Sequence, residues 1–264
     1  RLTALAEKAD IPVVSTLMNL GAISRKHPLS LGMVGMHGQR EANLAVHNCD
    51  LLIAVGARFS DRVTGNTDYF AQGATIAQID IDDSEIDKNV IVDLPLIGDM
   101  NEILDGLLER IETKKHAEWT EEIDSFRVPK EIPEDSFVPK NIFRTIHDVL
   151  GDDVIVATDV GQHQMWTAQE WPFTEPRTNI TSGGLGTMGF GLGAAIGAQM
   201  GNPGRRVIHV TGDGSFRMNC NELATVAARK LPITTILFKI PTCGAARPTP
   251  IASYMVSYMS SMSS

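Results

Sequence analysis

The run Arg206-Val207-Ile208-His209-Val210-Thr211-Gly212-Asp213-Gly214-Ser215-Phe216 limits the possible folds more than any other part of the chain. Residues 207–210 read as a buried strand, residues 221–230 as a helix with Leu223, Val226 and Ala227 on one face, and residues 233–238 as the next strand. That order makes a βαβ unit. Its first strand ends in a carboxylate between two glycines, at the edge where open α/β sheets hold ligands. Gly212 and Gly214 are expected to let the backbone turn sharply and approach a ligand, while Asp213 offers hard oxygens to a cation such as Mg2+. A diphosphate with its metal fits such a place. Taken alone, the same three residues also read as an Asp-Gly turn capping the following helix.

Two upstream stretches favour the ligand. Residues 181–198, TSGGLGTMGFGLGAAIGA, form a glycine-rich loop opening into a helix, which presents unpaired N–H groups to an anion. Gly189, Gly193 and Gly197, four apart, are expected to let that helix pack closely on a neighbour. Residues 154–157 read as an apolar strand ending in Thr158-Asp159-Val160-Gly161-Gln162-His163-Gln164-Met165-Trp166. Three strand ends thus carry three ligand-type loops. One alternative stays open: Gly184-Leu185-Gly186-Thr187-Met188-Gly189 fits G-x-G-x-x-G, the mark of a nicotinamide dinucleotide site. Against it, residues 179–181 read as a short lead-in rather than a strand, and the acidic residue at a later strand end, Asp213, is better used on a metal.

The first half follows the same grammar. A helix over residues 2–9, strands over 12–16, 51–55, 75–81 and 94–97, and helices over 39–48 and 101–111 alternate without a hairpin. The fold class expected is therefore α/β, with two doubly wound parallel-sheet domains, the first Rossmann-like without the usual glycine fingerprint. Asp80, Asp82 and Asp83 at a strand end can take ribose hydroxyls of a dinucleotide. The expected boundaries are 1–111 for the first domain, 112–140 for a charged, proline-broken linker with a helix near 119–126, and 141–238 for the second domain. Residues 239–264, poor in branched side chains, read as a divergent and disordered tail. The chain begins at Arg1 in the middle of an α/β pattern and reads as a piece of a longer polypeptide.

With 23 basic against 32 acidic residues the net charge is −9, which argues against nucleic acid or an anionic membrane as partner. Cys49, Cys220 and Cys243 are scattered and lack metal-ligand spacing, as in a reducing compartment. No apolar run approaches the ~20 residues that span a bilayer. The location expected is the cytoplasm, or a plastid or mitochondrion in a eukaryote.

The strings DVGQHQMW, TSGGLGTMGFGLGAAIGAQ and GDGSF resemble the thiamine diphosphate-binding domain of the acetohydroxyacid (acetolactate) synthase family. GMHG, VGARFSDRVTG and residues 79–99 resemble the FAD-binding parts of its middle domain, and the resemblance runs to Phe238. It implies thiamine diphosphate, Mg2+ and FAD as cofactors. By carry-over, Val160, Gly161, Gln162, His163, Gly212, Gly214 and Ser215 hold the diphosphate end and Asp213 the metal. Gly186 and Met188 meet the pyrimidine and thiazolium rings. His37, Gly56, Ala57, Arg58, Arg62, Asp80, Ile81 and Asp99 line the flavin nucleotide, the two arginines facing its diphosphate or ring. The implied reaction condenses two pyruvates, or pyruvate with 2-oxobutyrate, toward valine, leucine and isoleucine. A homodimer or homotetramer and a regulatory small subunit are the implied partners.

Two departures bear on activity. The family's activating glutamate lies in an amino-terminal domain that this sequence does not contain, so no catalytic residue is assigned and the chain alone is expected to be inactive. Where the family places Asn-Asn after the last strand, this chain has Lys239 and Ile240. Asn219 and Asn221 are expected on the wrong side of their helix, which leaves Asp213 as the single metal side chain and predicts weakened cofactor affinity. The alternatives are a related carboligase or decarboxylase of another substrate class, the nicotinamide-binding domain, and a folded remnant without catalysis.

Overall fold

A computed structural model describes residues 1–128, 132–133 and 136–239, so the expectations for Ile240 and the rest of the tail lie outside the described residues. The chain divides into two compact units, one of residues 1–16 with 23–131 and the other of 17–22 with 132–264.

In the first unit, α1 (Leu2–Ala9) buries Leu5, Ala6 and Ala9, one face of a helix. β1 (Val13–Ser15) pairs in parallel with β2 (Ser30–Met33), a strand missing from the expectation because Ser-Leu-Gly-Met is short and carries a glycine at φ 85. α2 (Arg40–Asn48) turns Ala42, Ala45 and Val46 inward. β3 (Leu51–Val55), the short α3 (Asp61–Thr64), β4 (Thr75–Asp80) and β5 (Leu94–Ile97) follow, and the three strands form a parallel sheet in the order β3-β4-β5. α4 (Met100–Arg110) starts where the Asp99 carboxylate accepts the N–H groups of Asn101 at 2.8 Å and Glu102 at 3.3 Å, a side-chain N-cap. Leu104 packs there with Leu5 and Ile79.

The stretch expected as a linker contains α5 (Ala117–Phe126), which belongs to the first unit's core. Ile123 is buried with Leu31, Val34 and Ala42, and Trp119 and Phe126 lean on the same cluster. Burying an aliphatic side chain of this size stabilises by about 1.5–3 kcal/mol, enough to hold a helix whose sequence is otherwise charged.

The second unit opens with α6 (Pro139–Leu150), whose proline sits in the first turn where its missing N–H is not needed. Ile142 and Phe143 face inward, whereas Val149 is exposed. β6 (Val154–Thr158), α7 (Gln162–Glu170), β7 (Asn179–Thr181), α8 (Phe190–Gly201), β8 (Arg206–Gly212), α9 (Asp213–Asn219), α10 (Leu223–Ala228) and β9 (Thr234–Phe238) complete it. The sheet is parallel, in the order β7-β6-β8-β9. Every residue of β6 is buried and β8 is buried from Val207 to Thr211, as central strands covered on both faces must be.

Three expectations are corrected here. The lead-in at residues 179–181 is the edge strand β7, held because the Gln164 amide and the Thr158 hydroxyl both donate to Thr181 Oγ1 at 2.7 Å. The helix after β8 begins at Asp213, eight residues early, and breaks before α10. Gly193 and Gly197 face outward with nothing within 4 Å of an added methyl; the glycine that allows close packing is Gly191, where a methyl would stand 2.7 Å from the Asp159 nitrogen. A segment from the first half of the chain also sorts with this unit: the Leu17 carbonyl accepts from Asn179 Nδ2 at 2.9 Å, and Gly21 lies against the Glu175 carbonyl.

Candidate functional site

The carboxyl ends of β6 and β8 bring the second unit's three loops together. After β6 the chain passes through Asp159 and Val160 to Gly161, whose φ of 151 is one that side-chain-bearing residues rarely adopt, and enters α7 without a side-chain cap. Gln164 N–H donates to the Gly161 carbonyl at 3.1 Å, which leaves the N–H groups of Gln162 and His163 for another acceptor. Gln162 is half-buried at the helix start, and His163 is 3% exposed.

The His163 ring is wedged between two glycines. A methyl on Gly161 would lie 2.8 Å from its Cε1, and one on Gly212 would lie 3.0 Å from its Nδ1. This corrects the role expected for the glycines of the Gly-Asp-Gly turn. Gly212 has an ordinary extended backbone at φ −103, so it is small to admit the imidazole and not to turn the chain. Gly214 lies inside α9, where a methyl would meet the terminal carbon of Met188 at 3.4 Å.

The imidazole is held neutral. Burial pushes its pKa down to about 4, against the upward pull of Asp159 and Asp213, while His209 also lowers it. The ring meets the Asp159 backbone carbonyl, and its Nε2 is buried without a hydrogen-bond partner among the described residues. With the other nitrogen donating to that carbonyl, Nε2 carries a lone pair. It can accept from a ligand or face a cation, and it donates to a phosphate oxygen only when the ring takes a second proton.

The remaining expected residues gather around this ring. Ser215 is buried and its hydroxyl donates to the Val160 carbonyl at 3.1 Å, so it ties two loops together and is not turned outward. Asp213 is half-buried at the sheet edge and makes no ion pair among the described residues. Gly186, at φ 64, lies beside Val160, and the loop is braced where Thr187 N–H donates to Ser182 Oγ at 3.0 Å. Met188 is 42% exposed, so it is a surface prop over Gly214 and not core. Asn219 does not turn toward Asp213: its amide donates to the Gly189 carbonyl at 2.6 Å.

The pattern of polar residues did not single out Asp159. Its carboxylate is 1% exposed and accepts from Gly191 N–H at 2.8 Å, His209 Nε2 at 3.0 Å and Thr211 Oγ1 at 2.7 Å. Burial alone would raise its pKa, yet these donors hold it below the usual carboxylate range. The available signal was a carboxylate inside an apolar strand end, which demands partners.

The first unit has a cleft of 530 Å³ at the carboxyl edge of β3, β4 and β5. Gly56, Arg58, Asp80, Ile81 and Asp99 line it as expected, joined by Asp82, Glu85 and Met100. His37, Ala57 and Arg62 are not in its lining. The Ala57 carbonyl accepts from Gln78 at 3.2 Å and the Arg62 carbonyl from Met36 at 2.8 Å. The Arg62 side chain sits 3.6 Å from Asp61 on the surface, and Arg58 makes no ion pair among the described residues. Asp82 is held below the usual carboxylate range by the Ser84 hydroxyl and N–H, and Asp99 by the Asn101 and Glu102 N–H groups. Four carboxylates against one arginine suit hydroxyl groups better than phosphate.

Among the described residues no three His, Cys, Asp or Glu side chains form a metal-binding group. Cys49 and Cys220 are unpaired thiols, and no helix there is long and apolar enough to cross a membrane.

This arrangement meets independent comparison. Residues 1–107 match the family model of the thiamine pyrophosphate enzyme central domain, and residues 159–261 that of the C-terminal thiamine pyrophosphate-binding domain. The second match continues past Phe238, where the resemblance was expected to stop. The chain is 45% identical to the probable acetolactate synthase large subunit of Methanocaldococcus jannaschii, over 92% of this chain and 43% of that protein. It is 43% identical to the acetolactate synthase isozyme 1 large subunit of Escherichia coli, over 92% of this chain and 44% of the relative. With the acetolactate synthase large subunit of Parasynechococcus marenigrum it shares 46% identity, over 89% and 39%. The chain thus spans less than half the length of these relatives, and it belongs to the thiamine pyrophosphate enzymes, in the family of the acetolactate synthase large subunits.

Proposed function

We propose that the protein carrying this chain is an acetolactate synthase, joining two pyruvates, or pyruvate with 2-oxobutyrate, with loss of carbon dioxide. The observation that carries the reading is the orphaned Nε2 of His163, buried at the uncapped start of α7 on a ring packed against Gly212. A buried polar atom left unpaired costs about 1–3 kcal/mol, which a bound ligand would recover. Thiamine diphosphate fits this place, and when bound it supplies the carbon centre that takes up the electrons of a decarboxylating 2-oxo acid.

The chain's own residues would bind and orient it. The free N–H groups at the start of α7 would take diphosphate oxygens, His163 would join them by taking up a second proton as the anion binds, Asp213 would hold Mg2+ with phosphate oxygens completing the shell, and Met188 would form an apolar wall. With one carboxylate in reach, Mg2+ should bind appreciably only together with the diphosphate. Incubating the whole protein with pyruvate, thiamine diphosphate, Mg2+ and FAD should yield acetolactate. Carbon dioxide release without acetolactate would point instead to a decarboxylase, and no turnover of either kind would remove the assignment.

We further infer that the cleft of the first unit takes the adenosine end of FAD, its carboxylates meeting hydroxyl groups and Arg58 the phosphate. Titrating FAD into the chain should quench flavin fluorescence saturably, and Asp80→Ala should weaken the binding at least about fivefold, the loss of one charged hydrogen bond. A homo-oligomer and a regulatory small subunit remain part of the same proposal.

A further inference from the structure

We propose that Asp159 is the positioning residue of the diphosphate site: one buried carboxylate that fixes the β6 end, the start of α8 and the end of β8 against one another. This rests on the thiamine diphosphate reading above. Each bond it accepts comes from beside a ligand loop. Asp159 itself directly precedes Val160, Gly161, Gln162 and His163. Gly191 follows the loop that holds Gly186 and Met188, and Thr211 stands two residues before Asp213.

The geometry is selective. Asp159 Oδ1 takes the Gly191 N–H at 2.8 Å, while Oδ2 takes both His209 Nε2 at 3.0 Å and the Thr211 hydroxyl at 2.7 Å. Asp159 N–H also donates to the Val210 carbonyl at 3.0 Å. Gly191 can approach only because it lacks a side chain; a methyl there would come within 2.8 Å of His209 Nε2. His209 is fully buried and extends the contact to Thr235 Oγ1 on β9, 3.4 Å away, and to the Phe216 ring on α9 at 6.4 Å. A buried Asp-His pair often does no more than satisfy a core. Here, however, one of the three donors is a backbone N–H at the start of α8, which only an acceptor at this point can pin.

Asp159→Ala removes the acceptor from Gly191 N–H, His209 Nε2 and the Thr211 hydroxyl at once. Backbone amide exchange and calorimetric titration of thiamine diphosphate with Mg2+, both on the full 264-residue chain, test the proposal. The Gly191 amide should exchange at least about tenfold faster in the variant while Ile208 in the sheet core keeps its wild-type rate, and the cofactor's Kd should rise about tenfold. Gly191 exchange that is unchanged, or accelerated only as much as Ile208, would overturn the proposal, as would an unchanged Kd. Should Asp159→Ala not fold, Thr211→Val decides by the same readings, with Gly191 expected to accelerate about threefold. A wild-type chain that does not bind thiamine diphosphate sinks the cofactor reading instead, and the Gly191 rate then decides alone whether Asp159 pins α8.

Discussion

A histidine buried to 3% exposure with one ring nitrogen unpartnered is a poor choice for packing, because an apolar ring would fill the space without the desolvation penalty. Its stability signature follows from its pKa. The folded imidazole stays neutral down to about 4, while the unfolded ring takes its proton near 6.5. Between those values the unfolded chain binds more protons, so stability should fall as pH drops from 6.5 toward 4 and level off below, by at most about 3 kcal/mol. Urea unfolding at a series of pH values checks this, and His163→Phe should flatten that part of the slope. The two flanking glycines separate conformation from contact. Gly161→Ala meets both a forbidden φ of 151 and the imidazole, and should cost about 2 kcal/mol or more. Gly212→Ala keeps an allowed backbone and meets the ring alone, so the loss measured by denaturation should be smaller.

At the scale of elements, the glycines of α8 give the sharpest contrast. Gly193 and Gly197 are exposed with free space around them, so alanine at either should stabilise by about 0.5–1 kcal/mol through helix propensity. Gly191→Ala would drive a methyl into Asp159 and His209 and should cost about 1–3 kcal/mol, as at other overpacked core sites. Thermal unfolding of the three variants ranks them. Spacing could not make this distinction, since glycines four apart look alike whether their face meets a sheet or water. The buried strands were legible for the opposite reason: β6 and β8 are runs that only a doubly covered sheet accommodates. β2 and β7 escaped because three or four residues with glycine or polar side chains are strands only through their neighbours' hydrogen bonds. In the site, motif residues lay where the loops put them, whereas Asp159 acts through partners 32, 50 and 52 positions away. Such partners have no local spacing to reveal them.

For the molecule as a whole, we propose that loops from three parts of one sheet form a site for the diphosphate of a cofactor, while the first unit offers an acid-lined cleft for a nucleotide. The charge pattern of that cleft and its place at the β3-β4-β5 edge were foreseeable from Asp80 and Asp99, but the absence of Ala57 and Arg62 from its lining was not, because residue type does not tell which way a side chain leaves a loop. The family match extends the resemblance through both units and makes the diphosphate loops the natural place to test the reading. The most direct test compares the thermal shift of the full chain in excess thiamine diphosphate with that in unphosphorylated thiamine, both with Mg2+. A higher melting temperature is expected with the diphosphate and not with thiamine, abolished in His163→Ala and reduced in Asp213→Ala; an equal shift with thiamine, or no shift with either, would rule out a diphosphate site at these loops.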